Sequence, residues 1–171
     1  MKNKQALYRW LIYIIFGVLI TVLQMTPGFL PAISNTKPLL VIPYIICLSA
    51  IENEFIAAVT GGITGLLWGI WGTAYPLGYT AALLLIIGCV CGLIINQLMG
   101  VSPMSVFIVG FVAILLFQII DWFLFYKIWG YDGSSYAFFS INVPAWLYTS
   151  VFIPLFYFMV RKISVRLNKI I

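Results

Sequence analysis

Between Phe55 and Ile120 the chain runs sixty-six residues without a Lys, Arg, Asp, Glu or His. No water-facing surface can be assembled from such a stretch. With about 20 residues needed per bilayer crossing, it is long enough for three spanning helices. The turn-like clusters Trp71-Gly72-Thr73-Ala74-Tyr75-Pro76 and Met99-Gly100-Val101-Ser102-Pro103 divide it accordingly.

Extended in both directions, the pattern predicts six helices. Helix 1 occupies about Trp10 to Met25 and ends near Thr26-Pro27-Gly28. Pro38 suits the first turn of helix 2, about Leu39 to Ile51, which Pro43 is expected to interrupt. At roughly 20 Å that helix is short for a bilayer core, so it is kinked, extended by preceding neutral residues, or incompletely spanning. Asn53 reads as the N-cap of helix 3, with Glu54 at the positive end of the helix dipole and an end near Trp71. Helix 4 covers Leu77 to about Met99. Ser102-Pro103 opens helix 5, which runs to about Tyr126. The longest polar connection, Lys127 to Asn142, follows, and Asn142 with Pro144 opens helix 6, which ends before Arg161.

Composition leaves no room for a separate soluble domain: of 171 residues, 64% are hydrophobic and 8% charged. The expectation is an all-α, polytopic integral membrane bundle of six transmembrane helices, one domain over residues 1–171. The net charge of +5 resides at the ends, in Lys2, Lys4 and Arg9 and in Arg161, Lys162, Arg166 and Lys169. There the cations read as topology signals rather than as a nucleic-acid surface. Both ends are expected in the cytoplasm, which makes the number of crossings even. Lys37 and Lys127 fall on the outer side, but seven terminal cations outweigh them. The basic start and apolar run resemble a signal peptide. The charge-free run from Trp10 to Thr36 is long, however, and has no small-x-small cleavage site, so a retained first helix is expected.

Four features carry candidate roles. Ala57, Gly61, Gly65 and Gly69 form a small-residue stripe spaced by four on helix 3, echoed by Gly88 and Gly92 on helix 4. Such stripes let helix backbones approach closely, within the bundle or against a partner's helix. Asp121 is the acid well inside a predicted crossing, with Gln118 one turn away and Gln24 at a similar depth as a candidate partner. An intramembrane carboxylate of this kind is a structural polar clamp or a proton or ligand site. The aromatic connection holding Trp129, Tyr131 and Phe138 forms an interfacial belt or rests on a partner. Glu52 and Glu54 flank a tight turn and are solvated there or touch a partner.

Other chemistry is not suggested. The chain has no His, the usual base in hydrolysis and the commonest metal ligand, and neither a Gly-rich phosphate loop nor an acidic pair. Cys89 and Cys91 stand about 200° apart around a helix, so no disulfide, metal site or cofactor is expected, and the chain reads as a non-enzyme.

The order Thr36-Lys37-Pro38-Leu39-Leu40, Glu52-Asn53-Glu54-Phe55, Gly61-Gly62-Ile63-Thr64-Gly65-Leu66-Leu67-Trp68 and then Gly78 resembles the rod shape-determining membrane protein MreD family over about Pro31 to Gly92. The family often carries an Asp directly after the Gly-Leu-Leu-Trp segment, where this chain has Gly69. The resemblance implies a multi-pass protein of the bacterial plasma membrane, a non-enzymatic subunit of the cell-elongation machinery for peptidoglycan synthesis. It also implies an MreC-like membrane partner and, through it, MreB, RodA and a class B penicillin-binding protein. A second class, the substrate-capture subunit of an energy-coupling-factor vitamin transporter, has the same size and helix number. Those subunits show an Ala-x-x-x-Ala pattern in helix 1, whereas Trp10 to Met25 holds no Ala.

Reporter fusions at Gly28, Gly100 and Gly133 are expected to read outside, inside and outside. A cytoplasmic signal at Gly133 would overturn the six-crossing arrangement.

Overall fold

A computed structural model describes residues 2–29, 31–32, 36–72, 76, 78–130 and 133–170. They form helices α1 (Lys2–Met25), α2 (Val41–Ile51), α3 (Glu54–Gly72), α4 (Tyr79–Leu93), α5 (Pro103–Trp122), α6 (Ser134–Ala137), α7 (Val143–Ser150) and α8 (Phe152–Ile170). Wider π-helical turns prolong α4 over Ile94–Met99 and α5 over Phe123–Lys127, and join α6 to α7 over Phe138–Asn142. No β-strand occurs among the described residues.

Among the described residues, five stretches are long and apolar enough to cross a bilayer: Leu7–Met25, Glu54–Trp71, Tyr79–Met99, Pro103–Lys127 and Ser134–Leu167. Their outward sides are apolar, with Leu11, Ile15 and Leu19 on α1, Leu85, Ile86 and Val90 on α4, and Val112 and Leu116 on α5 all exposed. So much exposed hydrocarbon is unsupportable in water and ordinary against lipid. The chain is a multi-pass membrane protein. Between α4 and α5 an entirely apolar groove of about 340 Å³, floored by Cys91, Val109 and Ala113, belongs to this outer surface.

The short α2 is the centre of the bundle. All ten residues from Val41 to Ala50 are buried, and α1, α3, α4, α5 and α8 touch it. Pro43 does not interrupt it. It occupies the first turn, where an N–H would have no acceptor within the helix. Pro38 lies ahead of the helix, because residues 37–39 are non-helical, and the Leu39 N–H donates to Thr149 Oγ1 at 3.0 Å instead of starting a turn.

Asn53 and Ser102 act as caps: Asn53 Oδ1 accepts from the Phe55 N–H at 3.2 Å, and Ser102 Oγ from the Ser105 N–H at 3.1 Å. The Lys127 to Asn142 connection, by contrast, is mostly helical. Trp122 Nε1 donates to the Ser134 carbonyl at 2.7 Å, and its ring packs on Phe138 with centroids 5.1 Å apart. This docks α6 on α5, so the last helical run begins at Ser134 rather than at Asn142. Pro144 falls at the start of α7, just beyond the π-helical turn.

The small-residue stripe lies inside the chain. A methyl added at Gly65 would stand 2.6 Å from Ala81 Cα, at Gly61 2.7 Å from the Leu84 carbonyl oxygen, and at Gly88 2.9 Å from the Ala57 carbonyl carbon. At Gly92 it would meet Glu54 Cβ at 2.7 Å, and at Gly69 Thr80 Oγ1 at 3.1 Å. The backbones of α3 and α4 therefore run in direct contact, and Thr80 Oγ1 donates across to the Gly65 carbonyl at 2.7 Å. The lipid-facing surface is built of large side chains elsewhere.

Gly62, on the same helix, would place a methyl 3.7 Å from Leu85 Cδ1, an ordinary contact. The two glycines should respond oppositely to alanine. Gly65→Ala is expected to destabilise the detergent-solubilised protein by about 1–3 kcal/mol through overpacking. Gly62→Ala should leave it unchanged or raise it by up to about 1 kcal/mol through helix propensity. Thermal unfolding of both variants checks this, and equal responses would remove the close-contact argument.

Candidate functional site

Two polar constellations stand at opposite ends of the bundle. At the end holding the α2–α3 turn, Arg9 Nη2 donates to both Glu52 oxygens, at 2.9 Å and 2.7 Å, and Tyr13 Oη donates to Glu52 Oε1 at 2.6 Å. Tyr44 Oη in turn donates to the Tyr13 carbonyl at 2.7 Å. The Glu52 side chain is 7% exposed. Glu52 is therefore not a solvated turn residue but the knot tying α1 to the end of α2. A carboxylate this enclosed is tolerated only because a guanidinium and a hydroxyl surround it.

At the opposite end lies a cavity of about 300 Å³. Its walls come from four places in the chain. Thr36, Lys37 and Leu39 belong to the extended segment before α2, Trp68 to α3, Phe117, Gln118, Asp121 and Tyr126 to α5 and its prolongation, and Ile141, Asn142 and Ala145 to the last helical run. The extended segment is laid across this end by the Leu39–Thr149 bond and by Val41 N–H, which donates to Gln24 Oε1 at 3.0 Å.

Local helix geometry explains the α5 wall. Gln118 and Asp121 lie three residues apart and share a face. In a straight α-helix Tyr126, nine residues beyond Phe117, would point about 180° away from it. The π-helical turn at Phe123–Lys127 advances each side chain less around the axis, which returns Tyr126 towards Gln118. Asn142 Nδ2 donates to the Gln118 carbonyl at 3.1 Å and fixes the facing wall. Trp68 stacks on Phe117, with centroids 6.1 Å apart and planes within 19°.

Of the polar residues singled out in the sequence, Gln118 and Asp121 come together in this cavity, both buried. Gln24 is not among the residues that line this cavity. Its amide oxygen serves the buried first turn of α2, which needs an acceptor for its free N–H groups. Trp129 is displayed at 73% exposure, whereas Phe138 is half-buried between Trp122 and Phe139. Tyr131 lies outside the described residues. Trp68, Lys37 and Asn142 were not recognised as site residues. Trp68 closes the Gly61 to Trp68 segment, and an amide just before a helix is also a visible signal, but neither betrays a shared cavity. Among the described residues no three His, Cys, Asp or Glu side chains converge as metal ligands do.

No family model, curated protein or solved structure matches the chain.

The knot at Glu52 is expected to hold the α1–α2 contact. Glu52→Ala, which leaves Arg9 and Tyr13 without their acceptor, should cost about 1–3 kcal/mol in thermal unfolding, and Tyr13→Phe about 1 kcal/mol. Indifference of both variants would show that the network is ornamental to stability.

Proposed function

We propose that this chain is a non-enzymatic, MreD-like membrane subunit of the bacterial cell-elongation machinery, with six crossings and both ends in the cytoplasm. In this reading α2 counts as the sixth crossing, completed by the extended residues before it. The protein binds the single transmembrane helix and adjoining extracytoplasmic segment of an MreC-like partner, and is linked through it to MreB, RodA and a class B penicillin-binding protein. The ordered segments from Thr36 to Gly78 support the family resemblance.

The observation that carries the docking reading is an apolar shelf at the cavity end. Ile128, Trp129, Tyr136 and Phe139 are 60%, 73%, 79% and 70% exposed. They come from the turn after α5 and from the start of the last helical run. That run, Ser134–Leu167, has 34 residues, about 50 Å of helix against a core of about 30 Å, so one part of it stands beyond the hydrocarbon. Large aromatic side chains held on a fixed helix are the groups that dominate protein contacts. The polar cavity suits the transporter reading better, but α1 lacks the small-residue docking pattern of those subunits.

Replacing Trp129, Tyr136 and Phe139 together with Ala should weaken co-purification of an MreC-like protein from native membranes by tenfold or more, about 1.4 kcal/mol. The isolated chain should unfold at an unchanged temperature. Recovery of no such partner, together with a tightly held vitamin in the purified protein, would replace this reading with the transporter one.

A further inference from the structure

No charge occurs from Gly133 to Val160, and the run then ends in Arg161, Lys162 and Arg166. All three lie on α8, which continues to Ile170. At about 3.6 residues per turn the buried residues Ile153, Phe156, Val160, Ser164 and Leu167 gather on one side of that helix. Leu155, Phe158, Lys162 and Arg166 fall within about 80° of one another on the opposite side. Leu155 and Phe158 are 58% and 63% exposed, and both cations are exposed as well. The face turned to lipid by Leu155 and Phe158 therefore passes into Lys162 about 6 Å further along the axis, and into Arg166 one turn later. Hydrocarbon gives way to headgroups at such a step: the exposed ring lies against acyl chains and the first cation beyond it reaches the phosphates.

These cations serve nothing inside the protein. The chain has four acids against nine Lys and Arg. Glu52 is held by Arg9, Asp121 lines the cavity at the other end of the bundle, and among the described residues neither Lys162 nor Arg166 forms a salt bridge. Val160, Ser164 and Leu167 pack this stretch onto the bundle, so the two cations are fixed outward rather than carried on a loose tail. Side chains four residues apart on one helix face stand about 6 Å apart. One phosphate fits between them, met by the guanidinium through two parallel N–H bonds and by the ammonium as a point charge. α8 carries no acid, so the face offers nothing to the ammonium of a zwitterionic headgroup.

We infer that this face of α8 is a binding site for an anionic phospholipid such as phosphatidylglycerol. An acyl chain lies along Leu155 and Phe158, and the phosphate rests between Lys162 and Arg166. Positive charge at a helix end also orients a chain in the membrane, but orientation requires only charge near the interface, not two cations aligned on the lipid-facing side. The inference needs a membrane-spanning chain and nothing more, and is independent of the scaffold reading, which is decided by partner recovery.

The full chain is to be solubilised in a neutral detergent and titrated with phosphatidylglycerol or phosphatidylcholine, with retained lipids counted by native mass spectrometry and thermal unfolding read in parallel. Phosphatidylglycerol is expected to be retained and to raise the unfolding temperature where phosphatidylcholine does not, with the difference shrinking at high salt. Lys162→Gln combined with Arg166→Gln should weaken this binding roughly 25-fold, since each cation near an anionic surface contributes about fivefold. Both side chains are exposed, so the lipid-free variant should unfold at an unchanged temperature. Lys37→Gln combined with Lys127→Gln removes the same charge at the other end of the bundle and should leave the retained lipid in place. On the unaltered chain alone, equal retention of the two lipids would overturn the inference. Equal weakening by the two double variants would overturn it too, because net charge and not this face would then be responsible. If phosphatidylglycerol has no effect and the Lys162 and Arg166 substitutions instead release a co-purifying protein, the face is a protein interface and the lipid site falls.

Discussion

In a bilayer every backbone N–H and C=O must find its partner within the protein, and α2 is where that requirement is hardest to meet. The eleven-residue helix is about 16 Å long, well short of the hydrocarbon thickness, and its residues from Val41 to Ala50 are all buried. Each end is met by a side chain from α1. Gln24 supplies the acceptor for the Val41 N–H at one end; at the other, Arg9 and Tyr13 hold the Glu52 side chain while Asn96 Nδ2 donates to the Ser49 carbonyl. One helix of ordinary length thus brackets one that is too short, and the remaining helices close around the pair.

Around this axis the helices are held by proximity rather than by hydrophobic drive, since lipid is as apolar as the core. The α3–α4 pair achieves this with glycines and Ala57 in direct backbone contact. Buried hydroxyls are quieted locally: Thr21, Thr64, Thr149 and Ser150 each return a hydrogen bond to a carbonyl three or four residues back in their own helix. Gln118 and Asp121 both line the polar cavity described at the end of the bundle.

The charge-free run, the caps at Asn53 and Ser102 and the inter-helix breaks were legible because each is a local signal. Enclosure was not. Hydropathy reports how apolar Val41–Ile51 is, not that five helices surround it. Glycines and aromatics between Lys127 and Asn142 read as a connection because the Trp122 bond that docks α6 joins residues twelve positions apart. For the site, Asp121 and Gln118 stood out as polar residues in apolar surroundings. Lys37, Trp68 and Asn142 did not, since each has an ordinary local explanation and only folding brings them together. The role of Gln24 as acceptor for the Val41 N–H was not legible either, since depth does not tell which helix end has unmet N–H groups.

The enclosure of α2 also has a consequence for how the chain is made. Cys47 donates to the carbonyl of Ile153 at 3.4 Å, across 106 residues of sequence. At about 5–20 residues per second of synthesis, the groove that receives α2 lacks its α8 wall for about 5–20 s after α2 itself is complete. The most buried helix is therefore among the first made and the last enclosed. During that interval its outer flank faces lipid or whatever helix is nearest, which makes the arrival of the final helix the step that commits the chain to one arrangement.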